Sequence, residues 1–345
     1  MNVEILKPEQ YQLWNDFVDI SPQGDIFCYS WWLDAITRSN FKIIAVIKNS
    51  EILAGMPLAY DSENMINMPP LTRTLGVLYK ESVYKSLQKQ SSAERKWITE
   101  LLKYLPGDSL VQMYMHHNFK DWLPLRWCGF KQTTRYTYLI DYKLKTVTDL
   151  WNNLDKLRKR MINRATKNQI SVELSDDIDL VYKYTSMAYK RQGLKFRIPL
   201  DEMKRLDDAI LKNGNRIILT ASDSNRVHAA LYACYSNKSA YYLLSGSDPL
   251  LRKMGGHTLL LWEAIKYFID KVSYFNLGGS DIERIETHLR GFGGILTPYF
   301  HIYNDRLLAE RNSFKYHITE ILFHCRSIAG KIINKFRNTG KVYYK

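Results

Sequence analysis

The 345-residue sequence has no long apolar run. No stretch of about 18 uncharged apolar residues occurs in it, so no segment is expected to cross a membrane as a helix. Residues Met1 to Lys7 include Glu4, and no apolar run follows them, which argues against a secretory signal peptide. We therefore expect a cytoplasmic protein.

Cysteine is scarce, and its spacing excludes two common kinds of site. The four cysteines form no CxxC pair and no Cys/His cluster, which argues against a zinc site and a disulfide framework. We expect no metal cofactor. We interpret all four as small buried hydrophobic residues in a reducing compartment: Cys28, Cys128, Cys234 and Cys325.

Acidic residues are the minority among the charges. The sequence has 35 Asp and Glu against 49 Lys and Arg, a net charge of +14. A basic surface raises the local concentration of anionic partners. The charge leaves nucleotides, RNA, phosphorylated intermediates and acidic lipid headgroups open. An RNA-binding or tRNA-binding module is an alternative function, which the net charge and the basic residues 156–167 support. The sequence has no RNP, KH or helix-turn-helix signature for it.

The chain is long enough for two domains of roughly 150 residues each, and its halves repeat a pattern. β-Rich runs around a polar turn occur at 42–60 and again at 216–235, which predicts two hairpins. The pairs Gly129-Phe130 and Gly291-Phe292 each precede a later strand at a similar distance. We therefore predict an internal duplication, with each hairpin in its own mixed sheet.

We expect the boundary between the domains near residue 145. The N-terminal domain then covers residues 1–145, and the C-terminal domain, with the donor site, covers 146–305. A basic helical tail, 306–345, carries spaced isoleucines and cationic residues. This tail fits either an anionic membrane surface, as a peripheral contact at its inner face, or the surface of the second domain.

A basic helix is predicted between the halves, from Asp149 to Thr166. Residues 156–167 contain no acidic residue and six cationic ones: Lys156, Arg158, Lys159, Arg160, Arg164 and Lys167. Repulsion between like charges at i and i+4 destabilises such a helix unless an anion binds it. We expect this face to grip phosphates, and a solvated helix face is the alternative.

The part of the sequence that best fits a ligand-binding site is a predicted strand followed by a glycine turn and a helix. A strand at 240–245 is followed by Arg252, Gly255, Gly256 and His257, which lead into a helix. Glycines at a helix start let the backbone approach an anion, and the helix dipole attracts it. We expect these four residues to hold the donor phosphates in an exposed turn. Relief of packing at the helix entry is the alternative.

The segment Arg252-x-x-Gly255-Gly256 resembles the coenzyme-A motif RxxGxG/A of GNAT acetyltransferases, with His257 in place of the last small residue. The wider chain resembles the Fem-type branch of that fold, which comprises the FemABX aminoacyltransferases and the BioF2-like acetyltransferases. This likeness implies an α/β fold of mixed sheets with two tandem GNAT-like domains, and transfer of an acyl or aminoacyl group to an amine. It rests on the order of several motifs: FCYSWWL at 27–33, RQG at 191–193, YYLLSGSDP at 241–249, WEAI at 262–265, FNLGGS at 275–280, GFGG at 291–294 and PYF at 298–300.

The departures from the Fem pattern concern the donor. Asn276 and Gly279 stand where acidic residues are usual, Leu289-Arg290 replaces a Phe-Lys pair, and no long helical tRNA-binding arm is present. We therefore expect acyl-CoA as the donor substrate, with aminoacyl-tRNA as the alternative. The resemblance implies a nucleotide-linked or lipid-linked amino sugar, or a peptidoglycan precursor, as the acceptor in a cell-envelope or polysaccharide pathway.

Amide formation from a thioester passes through a tetrahedral oxyanion and needs a sink for the amine proton. We expect Arg290 to hold the developing negative charge or the donor phosphate, with a solvent-exposed arginine as the alternative. We expect Ser280 with Asp281 to relay the proton. A helix cap is the alternative for Ser280 and Asp281, and a degenerate, non-catalytic scaffold is the alternative for the whole protein. The expected substrate-binding residues are Trp31, Arg158, Arg191, Tyr242 and Tyr299.

Overall fold

The computed structural model describes residues 1–81, 86–105, 110–143, 145–213 and 215–304. These residues form twelve strands and ten α-helices. The strands are β1 Asn2–Ile5, β2 Phe41–Lys48, β3 Glu51–Ala59, β4 Leu78–Tyr79, β5 Gln112–Tyr114, β6 Lys131–Asp141, β7 Ser171–Ser175, β8 Arg216–Ser222, β9 Val227–Tyr235, β10 Ser239–Ser247, β11 Tyr274–Asn276 and β12 Ile295–Tyr303. The helices are α1 Tyr11–Ile20, α2 Ser30–Thr37, α3 Leu87–Leu102, α4 Leu123–Trp127, α5 Val147–Asn153, α6 Lys156–Lys167, α7 Ile178–Arg191, α8 Leu200–Lys212, α9 Gly256–Tyr267 and α10 Glu283–Arg290.

The described strands form two sheets. The smaller sheet has the order β1-β2-β3-β4, and all its pairings are antiparallel. The larger sheet has the order β5-β12-β6-β11-β10-β9-β8-β7, and it is mixed because β10 and β11 run in parallel. The α/β class expected from the sequence is therefore confirmed, and one of the two sheets is mixed.

Both halves of the chain run through the same order of elements. The first half reads β1, α1, α2, β2, β3, β4, α3, β5, α4, β6, and the second reads β7, α7, α8, β8, β9, β10, α9, β11, α10, β12. The predicted hairpins are β2–β3 and β8–β9, each antiparallel and each in a separate sheet. The expectation of a mixed sheet around the first hairpin is wrong, because β5 and β6 join the other sheet.

The two halves exchange strands in the middle of the larger sheet. β6 and β12 pair antiparallel over nine residue pairs. β5 pairs with β12 on one side, and β11 pairs with β6 on the other. The two outer pairings correspond to each other: residue 112 pairs with residue 303, and residue 274 pairs with residue 141. Adding 162 to residue numbers 112 and 141 of the first half gives 274 and 303 in the second. The four strands therefore obey a local two-fold symmetry.

This exchange carries first-half strands across the boundary expected near residue 145. β5 and β6 precede that residue, yet they lie in the sheet that holds every strand of the second half. The division into 1–145 and 146–305 follows the repeat in the sequence and stays a prediction. The larger sheet continues across it.

A shared hydrophobic core joins the halves. One cluster contains Trp14 and Trp32 from the first half together with Tyr184 and Tyr241 from the second. Within it, the rings of Phe27 and Tyr241 meet edge to face at 4.6 Å. A second cluster lies between the larger sheet and α9, and a third lies between the smaller sheet and α3. The shared cluster fixes the first half against the sheet of the second.

The basic segment between the halves is two helices, so the single helix predicted from Asp149 to Thr166 is wrong. Leu154 is extended (ψ 141°) and ends α5. The carboxylate of Asp155 then accepts a hydrogen bond from the backbone N–H of Arg158 at 2.6 Å and caps α6. An aspartate at this position provides a helix start that competes with continuation of α5.

The expectation that all four cysteines are buried has a mixed outcome. Cys28 and Cys234 are buried, as expected, but Cys128 is exposed, and Cys325 and the tail 306–345 lie outside the described residues. Among the described helices, none combines the length and apolarity needed to span a bilayer.

A buried carboxylate lies at the junction of the halves. Asp25 is fully buried, and its oxygens accept hydrogen bonds from the backbone N–H of Phe27 (2.9 Å), from the hydroxyl of Tyr241 (3.0 Å) and from the hydroxyl of Thr74. Burial raises the pKa of Asp25 to about 6, although these hydrogen bonds and the charge of Lys238 partly oppose the rise. The folded protein therefore holds this proton more tightly than the unfolded chain does.

We expect this group to make stability depend on pH. Between the unfolded pKa of 3.8 and the folded value of about 6, the folded state binds more protons, so its stability falls as pH rises through that window. The free energy of unfolding of the wild type, relative to that of Asp25→Asn, should fall by up to about 3 kcal/mol from pH 4 to pH 6.5. Denaturant titrations across this range measure it, and a flat difference would contradict the assignment.

Candidate active site

The larger sheet opens at the end of β11. β10 and β11 pair from Ser239 with Tyr274 to Tyr241 with Asn276, and their pairing ends there. β10 continues to Ser247, whereas β11 ends at Asn276. Strands that separate at their carboxyl ends leave a crevice between them, which is where α/β sheets commonly bind ligands.

A β-bulge shapes one wall of this cleft. β10 pairs with β9 up to Tyr242 and again from Leu244, so Leu243 has no partner in β9. The extra residue shifts the alternation of side chains along the strand. Tyr242 and Ser245 consequently both reach His257 on α9, although three positions separate them.

Tyr242, Ser245 and His257 form a hydrogen-bonded group on this wall. The hydroxyl oxygen of Ser245 lies 2.9 Å from Nε2 of His257, and that of Tyr242 lies 3.4 Å from the same nitrogen. Burial, together with the charges of Arg252 and Arg191, lowers the pKa of His257 to about 4. The imidazole is therefore neutral at pH 7, and the same low pKa makes it a weak base.

Two further polar side chains lie behind His257. The rings of His257 and His288 are 5.4 Å apart, and Nε2 of His288 is buried with no hydrogen-bond partner among the described residues. Arg158 is 5% exposed and donates a hydrogen bond from Nη2 to the carbonyl oxygen of Thr287 at 2.9 Å. The expectation that Arg158 grips phosphates on an open surface is therefore wrong, because its guanidinium is buried beside α10.

Three arginines lie around the start of α9. Arg191 ends α7, Arg252 begins the 3-10 turn Arg252–Met254, and Arg284 lies in the first turn of α10. Burial and the nearby charges of Arg252 and Arg284 lower the pKa of Arg191 below its usual range. Positive charges that oppose one another in this way favour a bound anion. The structure thus brings together Arg191 and Arg252, which were expected from the sequence to serve different subsites.

The glycine pair at the start of α9 is buried, so the expectation of an exposed turn is wrong. Gly255 has φ +95°, and a Cβ atom there would lie 2.2 Å from the carbonyl oxygen of Met161 on α6. A Cβ at Gly256 would lie 2.9 Å from Cβ of His228. Close packing of α9 against α6 and β9 is one reason for glycine at both positions.

The three predicted catalytic residues lie at opposite ends of α10. Before the helix, the hydroxyl oxygen of Ser280 accepts a hydrogen bond from the backbone N–H of Ile282 at 3.0 Å, and Asp281 pairs with Arg135 at 3.3 Å. Arg290 ends the helix and pairs with Glu286 at 3.4 Å. Eight helical residues span roughly 12 Å, so Arg290 does not meet Ser280 and Asp281 directly.

The remaining predicted residues lie outside the His257 group. The ring of Tyr299 on β12 meets that of Tyr114 edge to face at 6.3 Å. Trp31 on α2 stacks on Tyr29 at 5.5 Å, in the first half of the chain. Neither side chain has a described hydrogen bond or ring contact with His257.

Sequence reasoning missed Ser245, His288 and Arg73. Ser245 lies inside the motif YYLLSGSDP, but its meeting with His257 depends on the bulge, for which we found no sequence signal. His288 lies on a helix that was not predicted. Arg73 donates a hydrogen bond from Nη2 to the carbonyl oxygen of Leu243, 170 positions away, at 2.9 Å. A contact between residues so far apart in sequence leaves no local sequence pattern that would predict it.

One face of α6 is an open basic surface. Arg160, Asn163, Arg164 and Lys167 follow a helical spacing, are exposed, and line a surface depression of about 500 Å³. The guanidinium of Arg164 also donates to the carbonyl oxygen of Lys253, 3.1 Å away in the turn before α9. This face therefore adjoins the chain that leads into α9.

A larger cavity of about 660 Å³ lies at the opposite end of β11. Its lining includes Tyr274 at the start of that strand, together with His117, Asp141 and Lys271. The lining also includes Leu139, which pairs with Asn276 at the end of β11, so the cavity extends along that strand.

We expect the loss of stability on replacing Gly255 to come mainly from its close packing against α6. Gly255→Ala should lower the free energy of unfolding by about 1–3 kcal/mol beyond the cost of an alanine at positive φ, because its Cβ overlaps Met161. Gly129→Ala is the matched control, since Gly129 has φ +88° with open space around it. Denaturant unfolding compares the two, and equal losses would show that packing against α6 contributes nothing.

Comparisons with known proteins agree with this architecture. Residues 152–284 match the family model described as the acetyltransferase (GNAT) domain. The crystal structure of FemX superposes with a TM-score of 0.64 at 13% identity, covering 89% of this chain and 98% of that one. The C-terminal domain of a putative lysylphosphatidylglycerol synthetase from Agrobacterium fabrum gives 0.53 at 12% identity, with coverages of 87% and 93%.

A tandem GNAT protein from the clavulanic acid biosynthesis pathway gives a TM-score of 0.52 at 9% identity, with coverages of 88% and 98%. A comparison with curated protein sequences finds no match. Identities this low establish the fold. Residues 152–284 therefore match the model of the acetyltransferase (GNAT) domain, and the chain shares its fold with FemX and with a tandem GNAT protein.

Proposed function

We propose that the protein is an N-acyltransferase that moves an acyl group from acyl-CoA to an amine of a cell-envelope or polysaccharide precursor. One observation carries this proposal: the cleft between β10 and β11 lies beside a helix start that arginines surround. The helix dipole and these cationic side chains both favour a donor that carries phosphate groups. The GNAT match over residues 152–284 supports acyl transfer in the same part of the chain.

Three elements would hold the donor. Arg191 and Arg252 supply charge for its phosphates, and the first backbone N–H groups of α9, at Gly256 and His257, supply hydrogen-bond donors. The acyl group would then lie between the separated strands, beside the β10 bulge. This arrangement keeps the charged part of the donor at the edge of the sheet and its reactive carbonyl inside the cleft.

In the proposed reaction, the amine nitrogen attacks the carbonyl carbon of the thioester, and the carbon–sulfur bond then breaks. Arg290 is the candidate that stabilises the oxyanion. Ser280 and Asp281 are candidates for the proton relay, and His257, reached through Ser245, is a third. We favour His257, because its ring contacts Ser245 at the cleft whereas Asp281 is held by Arg135. The proton finally passes to the leaving thiolate.

The acceptor is proposed from its chemistry alone. A nucleotide-linked or lipid-linked amino sugar, or a peptidoglycan precursor, offers both an amine and an anionic group. The net charge of +14 favours such a partner near the protein surface. A peripheral contact with an anionic membrane would present a lipid-linked acceptor in the same way.

An aminoacyl-tRNA donor is the second candidate, and the basic face of α6 favours it. Arg160, Arg164 and Lys167 continue the positive charge beyond the start of α9. A CoA donor has few phosphates to reach that far, whereas an RNA backbone has many. The fold leaves both donors open, because its structural neighbours include a putative lysylphosphatidylglycerol synthetase as well as a tandem GNAT protein in a form without acetyl-CoA.

The deciding experiment supplies each donor to the purified protein. With acetyl-CoA and a panel of amino sugars and nucleotide-linked amino sugars, we expect release of free thiol that depends on the amine. Turnover with aminoacyl-tRNA and none with acetyl-CoA would select the second candidate. Salt-sensitive RNA binding without turnover of either donor would reject both and support a binding module.

We expect Arg252→Ala to weaken donor binding. Loss of one charge-assisted contact to a phosphate should raise the donor dissociation constant by about 10- to 100-fold. Arg290→Ala should leave that constant unchanged and lower the single-turnover rate by about tenfold or more, since a donor to the oxyanion acts only in the transition state. Calorimetry and rapid-quench kinetics separate the two. Wild-type behaviour of both variants would place the site elsewhere.

The face of α6 gives a test that separates the donors. The double variant Arg160→Glu/Lys167→Glu should weaken binding of a tRNA donor about tenfold or more and reduce its salt dependence. With two cations fewer on the protein, binding releases fewer counterions from the tRNA phosphates. Binding of acetyl-CoA should change less than twofold, which is roughly the effect of a screened, exposed charge. Lys212→Glu, on α8 behind the opposite face of the sheet, is the control. Unchanged binding of both donors would show that this face of α6 is solvent-exposed and binds neither donor.

A further inference from the structure

Arg73 brings the first half of the chain to the cleft of the second. It precedes β4, and both of its neighbours are buried. The hydroxyl oxygen of Thr72 accepts a hydrogen bond from Nε1 of Trp32 at 3.1 Å, and the hydroxyl of Thr74 bonds to the carboxylate of Asp25. The backbone on either side of Arg73 is therefore fixed in the shared core.

The guanidinium of Arg73 ends at the bulge in β10. Nη2 donates to the carbonyl oxygen of Leu243 at 2.9 Å. Leu243 is the residue that lacks a partner in β9, and β11 has already left β10 at this level. A backbone carbonyl in such a place needs a donor from elsewhere, and Arg73 supplies it.

The position of Tyr242 and Ser245 depends on that bulge. Only the extra residue between Tyr242 and Leu244 lets both hydroxyls reach His257. A bulge whose carbonyl were free would have fewer restraints on its backbone. The bond from Arg73 thus acts on the hydrogen-bonded group through the strand.

The charge of Arg73 also faces the cleft. It opposes the rise that burial causes in the pKa of Tyr242 and of Tyr299. Among the described ion pairs, none includes Arg73. A positive charge with no carboxylate partner among the described residues is therefore held near these two tyrosines.

We propose that Arg73 is a positioning residue for acyl transfer: it fixes the β10 bulge through the carbonyl of Leu243, so that one half of the duplicated chain sets the geometry of the other half's site. This proposal rests on the proposed function for its catalytic part. Its structural part concerns the bulge alone and is measurable without a substrate.

The test compares two arginines that join the halves in the same way. Arg205 on α8 donates from Nε to the carbonyl oxygen of Ala35 on α2 at 2.7 Å, also across 170 positions. Arg205→Ala removes a bond of the same kind outside the cleft. Arg73→Ala should lower kcat by about 10- to 100-fold, as expected when a reaction centre shifts, with less than a threefold change in the KM of the donor. Arg73→Lys, which retains one donor and the charge, should recover part of the loss.

Hydrogen–deuterium exchange gives the second readout. In Arg73→Ala, amides of β10 around Leu243 should exchange at least tenfold faster than in the wild type, and Arg205→Ala should leave them unchanged. Equal losses of kcat in the two variants, or unchanged exchange at the bulge, would overturn the proposal. If the wild type turns over no donor, the proposed function fails, and exchange alone then decides whether Arg73 fixes the bulge.

Discussion

The antiparallel pairing of β6 with β12 is the interaction on which the rest of the structure depends. It joins corresponding strands of the two halves over nine residue pairs, and it places β5 and β11 on its two sides. β11 forms one side of the cleft, and it pairs with β6. That side of the cleft is therefore held by a strand from the first half. Neither half can complete the larger sheet without the other.

The shared core extends this dependence to side chains. Asp25, Thr74 and Tyr241 meet at the junction, and Thr74 adjoins the arginine that reaches the bulge. Buried hydrogen-bonded groups of this kind hold one arrangement, because a displaced partner leaves a polar group without a bond in a dry interior. The first half thus contributes rigidity to a cleft whose neighbouring arginines and glycine turn lie in the second.

Local sequence signals predicted part of this structure. Alternating apolar residues around a polar turn gave both hairpins, and the glycines after a strand gave the start of α9, since these features depend on neighbours in the chain. The strand exchange and the bond from Arg73 to Leu243 connect residues far apart in sequence, and no periodicity records them. The residue types of Gly255 and Arg158 suit anions and predict an open surface for both. Their burial depends on how α6 packs, which composition does not reveal.

The two-fold pairing of β6 and β12 has an evolutionary consequence. A single half with this strand would offer the same edge to a second copy of itself, and two copies would close into an isologous dimer with the same central ladder. Fusion of the two genes would preserve that interface and free each copy to change separately. The two halves now differ at the corresponding helix: no glycine stands between Gly76 and Gly107, so the helix α3 begins without the glycine pair that opens α9. The cleft and the glycine turn beside it thus lie in the second half, and the first half supports the cleft through β6.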